Sequence, residues 1–374
     1  MAETGRIAVF MGPHRDFELR EFPVPGVEPG AILIKISAAN VCGSDLHFWR
    51  GDMGKDREVP GGSLMGHEMT GRVARLGPGV TTDSLGRPLR EGDRVAYAYF
   101  YPCRKCAICA TGDLYCCPYR QAGAGPLGEP PYFTSAFADY YYLKPNHFVF
   151  QVPGELSDAM VAPVNCAFSQ VAFGLVKADV KFGETVVIQG AGGLGLYATA
   201  VARERGASKV IAIDGQKARL ELARRMGADE TVDMADYPTA EARIERVREL
   251  TGGLGADLTV GLVGFASAFP EALQMLRSGG RHLEIGSISQ VDTVSIAPAM
   301  IVARRITVIG VGVYDPWIIP KVLDFMVRTK DRYPYHEIVS NSYPLAEISR
   351  AFREAEWKSE SGQQSAVTRA LLVP

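Results

Sequence analysis

Cys103, Cys106 and Cys109 repeat as C-x-x-C-x-x-C, and Cys117 follows after seven further residues. Four thiolates at this spacing can close a tetrahedron around zinc, with Zn–S bonds of ~2.3 Å. A tight CxxC turn aims two sulfurs at one point. Lys105 and the backbone N–H groups of the turn can offset the excess negative charge. Cys116 is adjacent, and spacing alone lets it replace Cys117. A closed four-thiolate site has no open position, so it holds a loop together and does no chemistry. The competing reading is a redox pair or a set of incidental buried thiols. Seven cysteines, an odd number, do not suit a closed disulfide framework.

A second set of candidate ligands is scattered. AANVCGSDLHFWRGD carries Cys42, Ser44, Asp45 and His47. LMGHEMTGRV carries His67 and Glu68, and APVNCAFSQVAFG carries Cys166. Each is a weak signal alone. A lone cysteine is commonly core packing, and Asp45 or Glu68 can simply cap a turn.

The third feature is a glycine-rich turn. The apolar run Thr185–Gln189 reads as a buried parallel strand. Gly190, Gly192 and Gly195 then form G-x-G-x-x-G, with Gly193 and Leu194 inside it, ahead of a helix over Leu196–Arg205. The first glycine allows a sharp turn, the second lets backbone approach a pyrophosphate, and the third lets helix and strand pack closely. The helix N-terminus offers N–H groups to phosphates. A second strand, Lys209–Ile213, ends at Asp214. Its carboxylate can accept bonds from the adenosine ribose hydroxyls and would repel a 2′-phosphate, which favours NAD over NADP. Lys217 and Arg219 pull the other way, since a nearby cation tolerates that phosphate; Arg219 also reads as solvated helix surface.

These residues need a scaffold. Strand and helix signals alternate through ADLTVGLVG, a helix at Ala266–Arg277, GGRHLEIGS and RITVIGVGV. That rhythm predicts an α/β, Rossmann-type doubly wound parallel sheet, with RITVIGVGV at its edge. Gly30 to Val149 reads differently, with glycines, prolines and short alternating strands, and TTDSLGRPLREGDRV reads as an exposed insertion. The 374 residues suggest two domains. A net charge of −2 gives no electrostatic footprint for nucleic acid or an anionic membrane. No apolar run reads as a membrane span, and the N-terminus does not read as a signal peptide. A cytoplasmic location is expected, where clustered thiols stay reduced.

The ordered series Cys42-x-Ser44-x-x-His47, Gly66-His67-Glu68, the four-cysteine run, Cys166 and then the glycine-rich turn resembles the zinc-dependent alcohol dehydrogenases of the medium-chain dehydrogenase/reductase family. The resemblance runs from about Arg6 to the C-terminus. CGSDLHFW is similar to the branch with sorbitol and threonine dehydrogenases, but sorbitol-type enzymes carry Glu where this chain has Cys166, which counts against a polyol substrate.

The resemblance implies a GroES-like irregular β-barrel catalytic domain over residues 1–165 and 314–374, with a structural zinc lobe at 102–118. It implies a Rossmann NAD-binding domain over 166–313, with the active site in a cleft. It implies two zinc ions per chain: a catalytic one on Cys42, His67 and Cys166, and a structural one on Cys103, Cys106, Cys109 and Cys117. Glu68 would lie behind the catalytic metal as an alternate ligand, and Asp45 would hold the second nitrogen of His67. Ser44 and His47 would relay the alcohol proton to bulk water, the plainer reading being that they only fix the turn. Arg219 and Arg369 would contact the cofactor ribose or pyrophosphate. Trp49 and Tyr99 would wall the pocket for a secondary, bulky or aromatic alcohol. The expected reaction is reversible oxidation of an alcohol to a ketone or aldehyde with NAD, in a homodimer or homotetramer. Two alternatives are a polyol or amino-alcohol dehydrogenase and a zinc-free quinone or enoyl reductase on the same scaffold. A non-catalytic dinucleotide-binding relative is the third.

Overall fold

Strand β1 (Ile32–Asn40) is rich in β-branched and small apolar residues and is buried along nearly its whole length. The computed structural model describes residues 3–52, 59–289, 292–356, 365 and 368–374. Those residues divide into two compact units. One comprises described residues of Met1–Ser169, Asp315–Thr329 and Tyr335–Pro374; the other comprises Gln170–Tyr314 and Lys330–Pro334.

In the first unit, helix α1 (Gly43–Arg50) follows β1, and β1 pairs antiparallel with β2 (Glu68–Leu76). The register places Asn40 opposite Glu68. Strand β3 (Arg94–Tyr97) joins β2 only from Gly71 onward. The C-terminal strand Ala370–Val373 covers the other side of β1, with Leu371 opposite Asn40. Seven strands belong to this sheet, which is antiparallel except where Asn341–Pro344 meets Ala370–Val373. Its core draws on Ile32, Ile34, Met69, Val73, Tyr97, Phe137 and Phe352. The four-cysteine run lies within a hairpin whose base pairs Phe100 with Ala122 and Tyr101 with Gln121. The stretch read as an insertion is mostly exposed, but Asp83 pins it by accepting from the N–H groups of Leu85 and Arg87, each at 2.9 Å.

The second unit is a six-stranded parallel sheet. Its strands are β4 (Thr185–Gln189), β5 (Lys209–Asp214), β6 (Glu230–Asp233), β7 (Ala256–Gly261), β8 (Leu276–Glu284) and β9 (Thr307–Gly310). Their order is β6-β5-β4-β7-β8-β9, with every pairing parallel. This is the doubly wound order, and its switch point lies beside β4. Strand β9 is the edge strand, as its sequence predicts.

Three expectations differ from the structure. The helix after the glycine-rich turn, α2 (Gly193–Glu204), starts three residues before Leu196, because the second half of the motif forms its first turn. The helix read as Ala266–Arg277 is shorter, α3 (Ala268–Met275), because Leu276 turns to extended backbone and opens β8. One run, Asp158–Lys177, is long and apolar enough to cross a membrane by length and composition, contrary to the sequence reading. Of its apolar 18-residue window, 78% is buried inside the fold, as in a core helix.

Candidate active site and metal centres

Register brings the scattered ligands together. Cys42 lies two residues past the end of β1, and His67 one residue before β2; the pairing of Asn40 with Glu68 makes them neighbours. Cys166 sits in a single π-helical turn, Val164–Phe168, a local irregularity frequent at functional sites. Ligand atoms of Cys42, His67, Glu68 and Cys166 all lie within 4.8 Å of one another, and all but His67 are buried.

Cys42 is also the N-cap of α1. Its sulfur accepts the Asp45 N–H, while Asp45 Oδ2 accepts the Cys42 N–H at 2.9 Å. The other Asp45 oxygen lies 3.4 Å from His67 Nδ1, which leaves Nε2 for the ligand cluster. A hydrogen bond from Cys166 holds the Cys42 thiol well below its ordinary pKa against burial, and His67 adds to the effect. The same contact with Cys42, together with burial, pushes Cys166 up. Burial lowers the basicity of His67, but Asp45 and Cys42 outweigh it and raise its pKa well above the usual value. Glu68 is pushed up to about 8 by burial, with Arg369 opposing and Cys42 adding.

The donor set fits zinc. Two sulfurs and an imidazole nitrogen leave one position open, the pattern of catalytic sites. Glu68 Oε1 is buried with no hydrogen-bond partner among the described residues, as expected of an oxygen turned toward a cation.

The four-cysteine cluster fits zinc as well. Cys103 and Cys109 sulfurs are 4.0 Å apart, and those of Cys106 and Cys117 are 3.8 Å apart. A tetrahedron of ~2.3 Å Zn–S bonds has edges of about 3.8 Å. Cys117 completes this cluster, and Cys116 is exposed, which resolves the choice that spacing left open. Backbone N–H groups of Cys103 and Cys109 donate to the sulfurs of Cys117 and Cys106. The Lys105 N–H draws Cys103 down to about 7. Asp315 Oδ1 ties the lobe down by accepting the Tyr115 N–H at 2.9 Å.

In the second unit the three glycines occupy different local environments. Gly190 has φ +95°, in the region that glycine favours. A Cβ on Gly195 would fall 1.8 Å from the Gly190 carbonyl oxygen, so only glycine permits this helix–strand approach. A Cβ on Gly192 would meet nothing within 4 Å, and no side chain caps α2 there. The open N-terminus of α2 suits a pyrophosphate. Gly193 and Leu194 form its first turn. Asp214 ends β5 and already accepts two backbone bonds: Ala191 N–H at 2.8 Å and Gln216 N–H at 2.9 Å. It therefore shapes the turn. Arg219 is half-buried on the helix Lys217–Arg225.

Some residues stand elsewhere than expected. Trp49 belongs to the core: its indole N–H donates to the Arg15 carbonyl at 3.3 Å, and its ring packs near Phe352. Helix periodicity turns position 49 inward and leaves Phe48 exposed. Tyr99 does lie at the site, its ring 5.0 Å from that of His67. Ser44 and His47 share a face of α1, three residues apart. His47 is 2% exposed, too deep to meet bulk water directly, and its Nδ1 lies 3.0 Å from the more accessible Asp52. Arg369, expected at the phosphates, pairs through Nη1 with the Glu68 carboxylate beside the metal ligands. The C-terminal strand explains this, since the Val41 N–H donates to the Ala370 carbonyl at 3.0 Å.

Asn165 was not singled out in the sequence. Its Oδ1 accepts the Met69 N–H at 3.2 Å and its Nδ2 donates to the His67 carbonyl at 3.0 Å. Only its place beside Cys166 hints at this.

Residues 28–154 match the alcohol dehydrogenase GroES-like domain, and residues 193–328 match the zinc-binding dehydrogenase domain. The chain is 33% identical to 5-exo-hydroxycamphor dehydrogenase of Pseudomonas putida, over 93% of this chain and 95% of the relative. It is 29% identical to sorbitol dehydrogenase of Bacillus subtilis, over 94% of each. The crystal structure of an alcohol dehydrogenase from Thermotoga maritima superposes with a TM-score of 0.89 at 28% identity, covering 100% of both chains.

Proposed function

Because this chain belongs to the zinc-binding alcohol dehydrogenases of the medium-chain dehydrogenase/reductase family, we propose that it carries out reversible hydride transfer between a bulky or secondary alcohol and NAD, giving a ketone or aldehyde and NADH. The observation that carries this reading is the convergence of Cys42, His67, Glu68 and Cys166. Zinc, when bound, supplies Lewis acidity that makes an alcohol proton easier to lose. Cys42, His67 and Cys166 are its proposed ligands, and Asp45 fixes the His67 ring. Ser44 takes the alcohol proton, and His47 passes it toward Asp52, whose side chain is 26% exposed. The first turn of α2 holds the pyrophosphate and Asp214 the ribose, with Arg219 as a supporting cation, while Arg369 pairs with Glu68 beside the metal ligands. Tyr99 borders the substrate. The first unit is thus the catalytic domain and the second the nucleotide-binding domain.

The likeness to 5-exo-hydroxycamphor dehydrogenase supports a bulky alcohol. The likeness to sorbitol dehydrogenase supports the polyol alternative, against which Cys166 counts. The two ligand clusters count against a zinc-free reductase. Seven free thiols support a reducing, cytoplasmic location. Edge strand β9, with Val308 exposed, supports pairing in a homodimer or homotetramer.

Elemental analysis of protein purified without added metal or chelator is the first test. About two zinc ions per chain are expected. A folded protein that holds none and takes up none would overturn the reading and bring the zinc-free reductase forward. An oxidation panel of primary, secondary, polyol and aromatic alcohols then separates the substrate readings.

Asp214→Gly is expected to raise the KM for NAD on the order of tenfold or more, because hydrogen bonds to a charged acceptor contribute ~1.5–3 kcal/mol each. It should also relax discrimination against NADP. Unchanged kinetics with both cofactors would show that Asp214 does not read the ribose.

A further inference from the structure

The edge of β2 is incomplete where it matters most. β1 covers one side of residues 67–69, through the pairing of Asn40 with Glu68. On the other side β3 begins only opposite Gly71 and Arg72. The His67 carbonyl and the Met69 N–H point to that uncovered side, because successive peptide groups along a strand alternate in direction. Both would be buried without a strand partner, which costs roughly 1–3 kcal/mol for each group.

Asn165 supplies the partner. One amide donates to the carbonyl of residue 67 and accepts from the N–H of residue 69. A strand residue in a parallel ladder makes the same pair of bonds to the residues flanking its neighbour. The side chain therefore mimics one peptide unit and extends the sheet by a single rung. It is fully buried. Among short side chains only asparagine carries a donor and two acceptor lone pairs in this planar arrangement. The anchored residue is 98 positions from His67 in sequence, yet it immediately precedes Cys166.

We propose that Asn165 is a positioning residue for the catalytic metal: it locks the π-helical turn that carries Cys166 onto the strand end that carries His67. The proposal rests on the metal reading above. Cys166 and His67 come from separate segments, and neither the β1–β2 register nor the α1 cap fixes the distance between them. The Asn165 amide does, by tying the backbone next to one ligand to the backbone of the other. The ligands are thus set at binding distance before a metal arrives. Residues that orient ligands in this way commonly change metal affinity by about 10–100-fold.

The test compares zinc retention against a graded chelator in wild type, Asn165→Ala and Asn165→Asp, with the four-cysteine lobe as internal control. Asp keeps the size of the side chain and an acceptor for the Met69 N–H but presents no donor to the His67 carbonyl. Both variants are expected to lose one zinc at roughly 10–100-fold lower chelator than wild type and to keep the lobe zinc. Excess zinc should restore turnover in both, since all ligands remain. Two zinc ions held as tightly as in wild type would overturn the proposal. So would loss of both ions together, or failure of both variants to fold, because Asn165 would then be a general folding residue. Wild type holding only the lobe zinc is a different outcome, and it refutes the metal reading itself.

Discussion

Cys42→Ala is expected to abolish turnover, with kcat/KM falling by about 10⁴-fold or more, while NAD affinity stays within a few-fold. Lowering the pKa of a bound hydroxyl from 15.7 to ~7, as zinc does for water, corresponds to ~12 kcal/mol of preferential stabilisation of the anion. Losing about half of that already accounts for a 10⁴-fold effect. Elemental analysis should fall from about two zinc ions per chain to about one. The glycine-rich turn that is proposed to hold NAD belongs to the other compact unit, so the dinucleotide should still bind. Cys42 has a second task as the N-cap of α1, and losing a cap costs ~1 kcal/mol. Cys42→Ser separates the two tasks, since its hydroxyl can still accept the Asp45 N–H but is a poor zinc ligand. Both variants should be inactive, with Ser melting closer to wild type. An Ala variant with normal turnover and two zinc ions would remove Cys42 from the metal site.

Cys106→Ser is expected to act on stability and not on the chemistry. Of the residues from Cys103 to Arg120, only Cys109 and Cys117 are buried, so the lobe has little apolar core of its own. Such a segment depends on its metal, and zinc contributes ~10–16 kcal/mol of binding free energy in small zinc folds. Three remaining thiols should not retain the ion against a chelator. If about 5 kcal/mol of that coupling reaches the surrounding unit, Tm falls by roughly 10–20 °C. Cys106 also caps the short helix Ala107–Ala110 by accepting the Cys109 N–H, so local order should fail first. Limited proteolysis should therefore cut within 103–120 in the variant and not in wild type. The catalytic zinc should remain, and turnover measured well below the new Tm should be close to wild type. A variant with two zinc ions and an unchanged Tm would show that the cysteines do not hold a structural metal.

The sequence by itself determined the features that act within a turn or two. The CxxCxxC spacing, the three glycines and the strand–turn–helix around them need no distant partner, so their chemistry is legible residue by residue. Element identity in the parallel sheet was equally legible, because strands buried on both faces read as continuous apolar runs. The ends of α2 and α3 were not: glycine is a poor helix former, yet Gly193 and Gly195 lie in the first turn of α2, and pairing of β8 pulls Leu276 into extended backbone and ends α3. Strand register and packing decided the rest. Spacing leaves Cys116 and Cys117 open and the resemblance points to Cys117, which the fold brings to the other three cysteines; only the fold turns Trp49 into the core, buries His47 behind Asp52 and brings Arg369 to Glu68. Asn165 is the clearest case. Its bonds run to backbone atoms 98 and 96 positions away, and backbone groups carry no sequence signature, so only the folded chain reveals what that amide holds.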